Sequence, residues 1–350
     1  MPPYRVLVID DSAFIRQFLK EIINDTEDLR VVATAADPLK AVEVLKKTEV
    51  DVITLDVEMP HMDGLEFLRY LMKFRPLPVV MISSWTQENS EIAIQALSLG
   101  AVDVVAKPTL GIQSGMNERK EEIINKIRMA ARAKVGRFPL STPPADSSPL
   151  PSAHEGLKTT TDKIIAIGAS TGGTVALTEI CQKLRPNVPG ILIVQHLPAM
   201  FTPSFSASLN QISRIRVKEA EDGEVITSGL ALVVPGGKNL TVRKSGAQYL
   251  VKIGPKLARS IYTPSINHTF HSVAEVAGVN AMGIILTGMG DDGASGLKAM
   301  REKGAYTIAQ DEESSVIYGM PQKAWENKAA VKQVPLSKIA DEIHRWAGIA

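Results

Sequence analysis

Apolar positions fall into two successive series of short runs, each run followed by an amphipathic stretch. In the first series the runs cover 5–9, 30–35, 52–55, 78–82 and 103–106. Near-continuous apolar runs bounded by turn residues read as strands buried on both faces. Between them apolar residues recur every three or four positions over 12–23, 38–47, 64–74 and 89–99, and again from about 118 to 133, which predicts helices. Five strand–helix units in a row predict an α/β domain with a doubly wound, five-stranded parallel sheet of the flavodoxin-like kind. The second series predicts strands at 163–169, 191–195, 230–234, 282–287 and 306–310, with helices at 174–184, 203–211, 265–277, 293–302 and 336–346. Runs at 241–244 and 249–253, joined by Ser-Gly-Ala-Gln, predict a hairpin. This is a Rossmann-like α/β domain with a mostly parallel sheet and an antiparallel excursion.

Residues 137–162 hold Pro139, Pro143, Pro144, Pro149 and Pro151 among many Ser and Thr, and no periodicity survives there. The chain therefore divides into a first domain at 1–130, a linker at 131–160 and a second domain at 161–350, as 350 residues would suggest. At 45% hydrophobic and 22% charged residues, the composition is that of a soluble protein. No apolar run is long enough to span a bilayer, and Met-Pro-Pro-Tyr-Arg lacks a signal-peptide core, so the expectation is a cytoplasmic protein without membrane insertion. The single cysteine, Cys181, excludes an internal disulfide and lies at helical spacing among Ala176, Leu177, Ile180 and Leu184, as a small core residue does. Residues 1–129 carry 15 Lys+Arg against 20 Asp+Glu, a charge of −5, and the rest carries +6. The opposite signs would suit docking of the halves or belong to two solvated surfaces. The scattered basic residues do not form a nucleic-acid surface.

In an open parallel sheet, ligands bind beyond the carboxyl ends of the strands. Asp10 and Asp11 end the first predicted strand, Asp56 the third, Ser83 and Ser84 the fourth, and Lys107, followed by Pro108, the fifth. Any one of them alone reads as a solvent-facing polar residue; together they predict one rim. Three carboxylates and a lysine suit a hard cation such as Mg²⁺. They also suit an aspartyl phosphate, with one carboxylate attacking while metal and lysine balance charge. Residues 4–128 resemble the receiver domain of bacterial response regulators, through Asp10-Asp11, Asp56 followed by Met59-Pro60 and Asp63-Gly64, Ser83, and Lys107-Pro108. The resemblance implies that Asp56 accepts phosphate from a histidine kinase, and that Asp10, Asp11 and Asp56 surround Mg²⁺ with the Glu58 backbone carbonyl as a further ligand. It makes Ser83 the switch hydroxyl and Lys107 the partner of the phosphate. Many receivers have an aromatic switch residue three positions before the lysine; this chain has Val104.

Gly168-Ala169-Ser170-Thr171-Gly172 fits G-x-S-x-G between a predicted strand and a helix, a turn that projects a serine hydroxyl from the sheet rim. A phosphate-binding loop is the rival, but Ser170 stands where a dinucleotide fingerprint needs its second glycine. A serine nucleophile needs a base and an orienting acid. His196 follows the run Ile-Leu-Ile-Val-Gln and reaches the same rim; Asp291 and Asp292 follow another apolar run there, and spacing does not choose between them. His268 and His271, on one predicted helix, are reserve bases, whereas His61, His154 and His344 lie in the first domain, the linker and the last helix. The order Ser, His, Asp speaks against an α/β-hydrolase.

Residues 160–348 resemble the chemotaxis protein-glutamate methylesterases, the CheB family. The marks are Gly168–Gly173, Gln195-His196-Leu197-Pro198, Val234-Pro-Gly-Gly237, Leu286-Thr-Gly-Met-Gly-Asp-Asp-Gly293 and Gln310-Asp-Glu-Glu-Ser-Ser315. The resemblance implies Ser170 as nucleophile, His196 as base, Asp292 as orienter and the Met289 backbone N–H as oxyanion donor. It implies cleavage of glutamate γ-methyl esters on the cytoplasmic region of chemoreceptors, without a cofactor for the esterase step, and possible deamidation of receptor glutamines. Asn267 stands where family members often have an aspartate. The shared chain predicts regulation: the unphosphorylated receiver covers the active-site rim, and phospho-Asp56 weakens that docking. The alternative, a receiver with a binding output such as DNA recognition, would need a basic recognition helix that the sequence lacks.

Overall fold

The computed structural model describes residues 2–59, 62–83, 87–107, 116–135, 162–258 and 261–349. Pro60, His61, Ser84, Trp85, Pro108 and the linker from 136 to 161, His154 included, lie outside the described residues. The chain forms two units, Met1–Ser141 and Thr142–Ala350.

In the first unit the apolar runs become β1 (Tyr4–Ile9), β2 (Leu29–Ala35), β3 (Val52–Asp56), β4 (Val79–Ser83) and β5 (Asp103–Ala106). They alternate with α1 (Ala13–Asn24), α2 (Pro38–Lys47), α3 (Gly64–Phe74), α4 (Gln87–Ser98) and α5 (Met116–Ala130). The sheet is parallel in the order β2-β1-β3-β4-β5. The chain leaves β1 toward one edge and returns through β3 toward the other, so a crevice opens between these two strands, where Asp10 and Asp56 emerge. Helix starts follow from side chains that accept an otherwise orphaned amide: Ser12 from Ile15 N, Asp37 from Lys40 N and Asp63 from Glu66 N. Gly64 cannot be another residue at no cost, because a Cβ there would lie 2.1 Å from the Asp56 carbonyl oxygen. The start of α3 is thereby pressed against the end of β3.

The second unit contains β6 (Ile164–Ala169), α6 (Gly173–Lys183), β7 (Gly190–Gln195), α7 (Thr202–Ile212), β8 (Arg216–Glu219), β9 (Leu230–Val233), β10 (Asn239–Ser245) and β11 (Gln248–Gly254). It continues with α8 (Ile266–Ala277), β12 (Ala281–Ile285), α9 (Ala294–Glu302), β13 (Tyr306–Gln310), α10 (Met320–Glu326), β14 (Lys332–Val334) and α11 (Leu336–Ala347). Seven strands form a parallel sheet in the order β14-β13-β12-β6-β7-β9-β8. The hairpin β10-β11 is a separate two-stranded sheet. The two edge strands, β8 and β14, escape the hydropathy pattern because an edge strand reads Arg-Val-Lys-Glu or Lys-Gln-Val, with charges that blunt it. β12 stops two residues before the end of its apolar run, since Thr287 N donates to the Gln310 side chain instead of the ladder. Cys181 is buried as expected, and burial pushes its thiol up to about 12. Among the described residues, no helix is long and apolar enough to cross a membrane.

Candidate active site

At the rim of the first sheet, Asp10, Asp11 and Asp56 bring carboxylate oxygens within 4.8 Å of one another. Asp10 and Asp56 are buried and Asp11 is exposed. Lys107 Nζ stands 2.6 Å from Asp56 Oδ2 and 3.1 Å from Asp10 Oδ2, one cation between two anions. The cluster is under-neutralised. Burial, then the Asp10 charge, pushes the Asp56 carboxyl up to about 7 despite Lys107. Burial likewise raises Asp10, against the pull of Lys107 and the Ser12 amide. Burial disfavours the Lys107 charge, but Asp56 and Asp10 outweigh it and raise the lysine. Asp10 Oδ2 is buried without an aligned hydrogen bond, so the residues present fit a divalent cation that would complete them. Ser83 is buried beside them, and its carbonyl accepts from Lys107 N at 2.8 Å. Glu58 is exposed, and its N–H lies 3.4 Å from Asp56 Oδ1. The adjoining cleft is lined by Asp11, Glu58, Met59, Asp63 and Ile92. Sequence reading missed Arg16, whose Nη1 donates to the Asp10 and Asp11 carbonyls at 2.7 and 2.8 Å; one turn of helix after an acidic pair is the signal that could have found it.

At the rim of the second sheet, three residues from distant segments meet. His196 Nδ1 lies 3.2 Å from Ser170 Oγ, and His196 Nε2 lies 2.9 Å from Asp292 Oδ2. With Nε2–H donated to the carboxylate, Nδ1 is left to accept the serine proton. Asp292 is buried at the N-terminus of α8, where Ile266 N donates to Oδ2 at 2.8 Å and Asn267 N to Oδ1 at 3.0 Å. Ser265, the N-cap of α8, adds its hydroxyl to Oδ1 at 3.3 Å. Burial raises the carboxyl, but His196 and the two amides outweigh it and hold Asp292 below the ordinary carboxylate range. Asp291, its sequence rival, is exposed. The reserve bases are not part of this group: His268 and His271 sit on α8, with His271 Nε2 3.4 Å from Ser295 Oγ. His344 accepts from Arg185 N on the far side of the domain's sequence.

The turn that carries Ser170 is fixed from both sides. Ser170 N donates to the Thr287 carbonyl at 3.1 Å, and Gln195 Nε2 donates to the Ser170 carbonyl at 2.9 Å. The left-handed conformation falls on Gly172, at φ 78°, and not on the serine. A Cβ on Gly288 would stand 2.7 Å from Ser170 Cβ and 2.4 Å from Met320 Sδ, so the loop after β12 approaches the serine as only glycine allows. Gly288 N donates to Ile317, and its carbonyl accepts from Gly319 and Met320. Met289, the next residue, is exposed at this tethered point, and among the described residues no hydrogen bond uses its N–H. Asn267 holds α8 to α9 through its Oδ1, which accepts from Ser295 Oγ and Gly296 N, both at 2.8 Å.

Comparison with known proteins covers both units. The CheB methylesterase family matches residues 165–343, and the response regulator receiver domain matches residues 6–113. A relative from Chromohalobacter salexigens is 48% identical over 335 residues, spanning 96% of this chain and 94% of its own. One from Escherichia coli K12 is 48% identical over 345 residues, spanning 98% and 97%. Both are called protein-glutamate methylesterase/protein-glutamine glutaminase. Among solved structures, the catalytic domain of the Thermotoga maritima CheB methylesterase superposes with a TM-score of 0.52 at 33% identity, covering 53% of this chain and 99% of that one.

Proposed function

The chain belongs to the CheB methylesterase family, with a response regulator receiver domain ahead of the esterase domain, and on that premise we propose that Ser170, His196 and Asp292 carry its protein-glutamate methylesterase reaction. The single observation behind this assignment is His196 bridging the other two at 3.2 and 2.9 Å. Ser170 Oγ attacks the γ-ester carbonyl of a methylated glutamate while its proton passes to His196 Nδ1. The resulting imidazolium is stabilised by Asp292, which stays ionised. Collapse of the tetrahedral intermediate expels methoxide, which takes the proton from Nδ1 and leaves as methanol. Water then attacks the acyl-enzyme by the same proton path, and the glutamate carboxylate is released. The Met289 N–H is the oxyanion donor, a role worth roughly 3 kcal/mol by analogy with other serine hydrolases. A glutamine side chain in the same position would lose ammonia, which is the glutaminase half of the relatives' name. The substrate is a chemoreceptor's cytoplasmic region.

The receiver takes its phosphoryl group from a chemotaxis histidine kinase onto Asp56. Asp10, Asp11, Asp56 and the Glu58 carbonyl would hold Mg²⁺, which when bound neutralises charge on the phosphoryl oxygens. Lys107 pairs with the phosphoryl oxygens, and the Ser83 hydroxyl contacts them. Phosphorylation raises esterase output by relieving inhibition that the receiver imposes. The test is methanol release from methylated receptor membranes, with and without a small-molecule phosphodonor. Stimulated release that disappears in Ser170→Ala supports the reading; normal release by that variant overturns it.

A further inference from the structure

We propose that Tyr262 is a positioning residue of the esterase: its ring face holds the His196 imidazole between serine and aspartate and stabilises the imidazolium formed when Ser170 gives up its proton. The inference rests on the triad assignment above. The two rings are stacked with centroids 4.4 Å apart and planes 5° from parallel, so the phenol lies against one face of the base. The opposite end of the same side chain meets the loop that carries Met289. A Cβ on Gly290 would lie 2.9 Å from Tyr262 Oη, so the absence of a side chain there spares this contact, and φ 88° is a second reason for glycine. Tyr262 therefore touches the proton-carrying group and the neighbour of the oxyanion donor at once.

The stack is stronger in the transition state than before it. A neutral imidazole gains dispersion and offset-stacking energy from the phenol. Once Nδ1 has taken the serine proton, the ring is a cation over a π-face, and the attraction grows. An interaction that strengthens along the reaction raises kcat and leaves substrate binding nearly unchanged. No bond to Tyr262 forms or breaks: the Ser170 Oγ–carbon bond forms, the proton moves to His196 Nδ1, and it departs with methanol. Burial, with the charges of Asp292 and Asp291, raises the phenol's pKa, so the ring stays neutral and its face remains electron-rich without becoming an ion-pair partner. Among the described residues, the groups that bond to or stack on the imidazole are Asp292 from the loop before α9 and Tyr262 from the segment before α8, with the Ser170 hydroxyl from the turn before α6.

The experiment uses the full-length enzyme and methylated receptor membranes, reading methanol release across pH. Tyr262→Leu is expected to lower kcat about tenfold with KM within about twofold of wild type. Its acid limb should move to lower pH by about half a unit, because the protonated base has lost a stabilising face. Tyr262→Phe, which keeps the face and drops the hydroxyl, should restore both. If circular dichroism shows the leucine variant unfolded, Tyr262→Met, flexible and of similar bulk but without a ring, replaces it with the same expectation. A ring-free variant with wild-type kcat or an unmoved acid limb, or a phenylalanine variant as impaired as the leucine one, overturns the proposal. Ser170→Ala runs alongside: methanol release by that variant would remove the triad assignment itself, an outcome separate from failure of the tyrosine variants alone.

Discussion

The two domains place their reactive residues by the same device and finish them in opposite ways. In each, a central parallel strand ends at the reactive group, and a glycine lets a neighbouring segment close against it: Gly64 against the Asp56 carbonyl, Gly288 against Ser170. The charges differ. In the receiver, two buried carboxylates share one lysine, Asp56 is pushed up to about 7, and an Asp10 oxygen lacks an aligned donor. At the esterase site, the buried Asp292 carboxylate has a histidine, two amides and a hydroxyl, and sits below its ordinary range. A site left short of positive charge is stabilised by what arrives, a cation and then a phosphoryl group held with it. A site with every charge paired is ready before substrate comes, which is the preorganisation that lowers a barrier. The difference teaches which half receives a signal and which half performs the chemistry.

The comparison breaks most sharply at Ser170. Ser170→Ala should reduce methanol release by about 10⁴-fold or more while circular dichroism stays that of the wild type. Asp292→Asn should follow with a loss of about 10³–10⁴-fold, since an amide offers one acceptor where the carboxylate uses both oxygens and turns N–H groups toward the amides of α8. Asp56→Asn should leave unstimulated release unchanged and abolish the phosphodonor response, as should removing Mg²⁺ with a chelator. If phosphorylation carries the active population from about 1% to nearly all, that lost response is at most about a hundredfold. The paired glycines sharpen the contrast further. Gly288→Ala should cost about 1–3 kcal/mol in urea unfolding and depress kcat, whereas Gly64→Ala, against rigid backbone, should impair phosphorylation and spare basal esterase activity.

The smallest effect is in pH. Because Asp292 has its folded pKa depressed, its contribution to stability is present above the ordinary carboxylate range and is lost as pH falls through the folded value. Urea midpoints of the esterase domain should therefore decline on acidification below about pH 4, and the decline should be shallower in Asp292→Asn.

Hydropathy alone marked the long central strands and most helices, because a strand buried on both faces leaves a continuous apolar run that little else imitates. It failed on β8 and β14, whose charges serve to protect an edge, and on α10, seven residues too short to show a period. The reactive residues were legible because strand ends in a parallel sheet must converge. The choice of Asp292 over Asp291 was not, since both follow the same strand and only the approach of α8 decides between them. Arg16 stood one helical turn after the acidic pair and was still passed over, because it works through main-chain oxygens; Tyr262 works through a ring face and leaves no spacing to read.

The grip on Asp292 comes largely from main-chain amides, which every amino acid but one supplies. The side chains of residues 266 and 267 have other work, Ile266 in the core and Asn267 between α8 and α9, and neither of them touches the carboxylate through it. The forbidden change is proline. Ile266 opens its helix, the place where a pyrrolidine ring ordinarily fits with least harm, yet here it would erase the donor that aligns the carboxylate with the histidine.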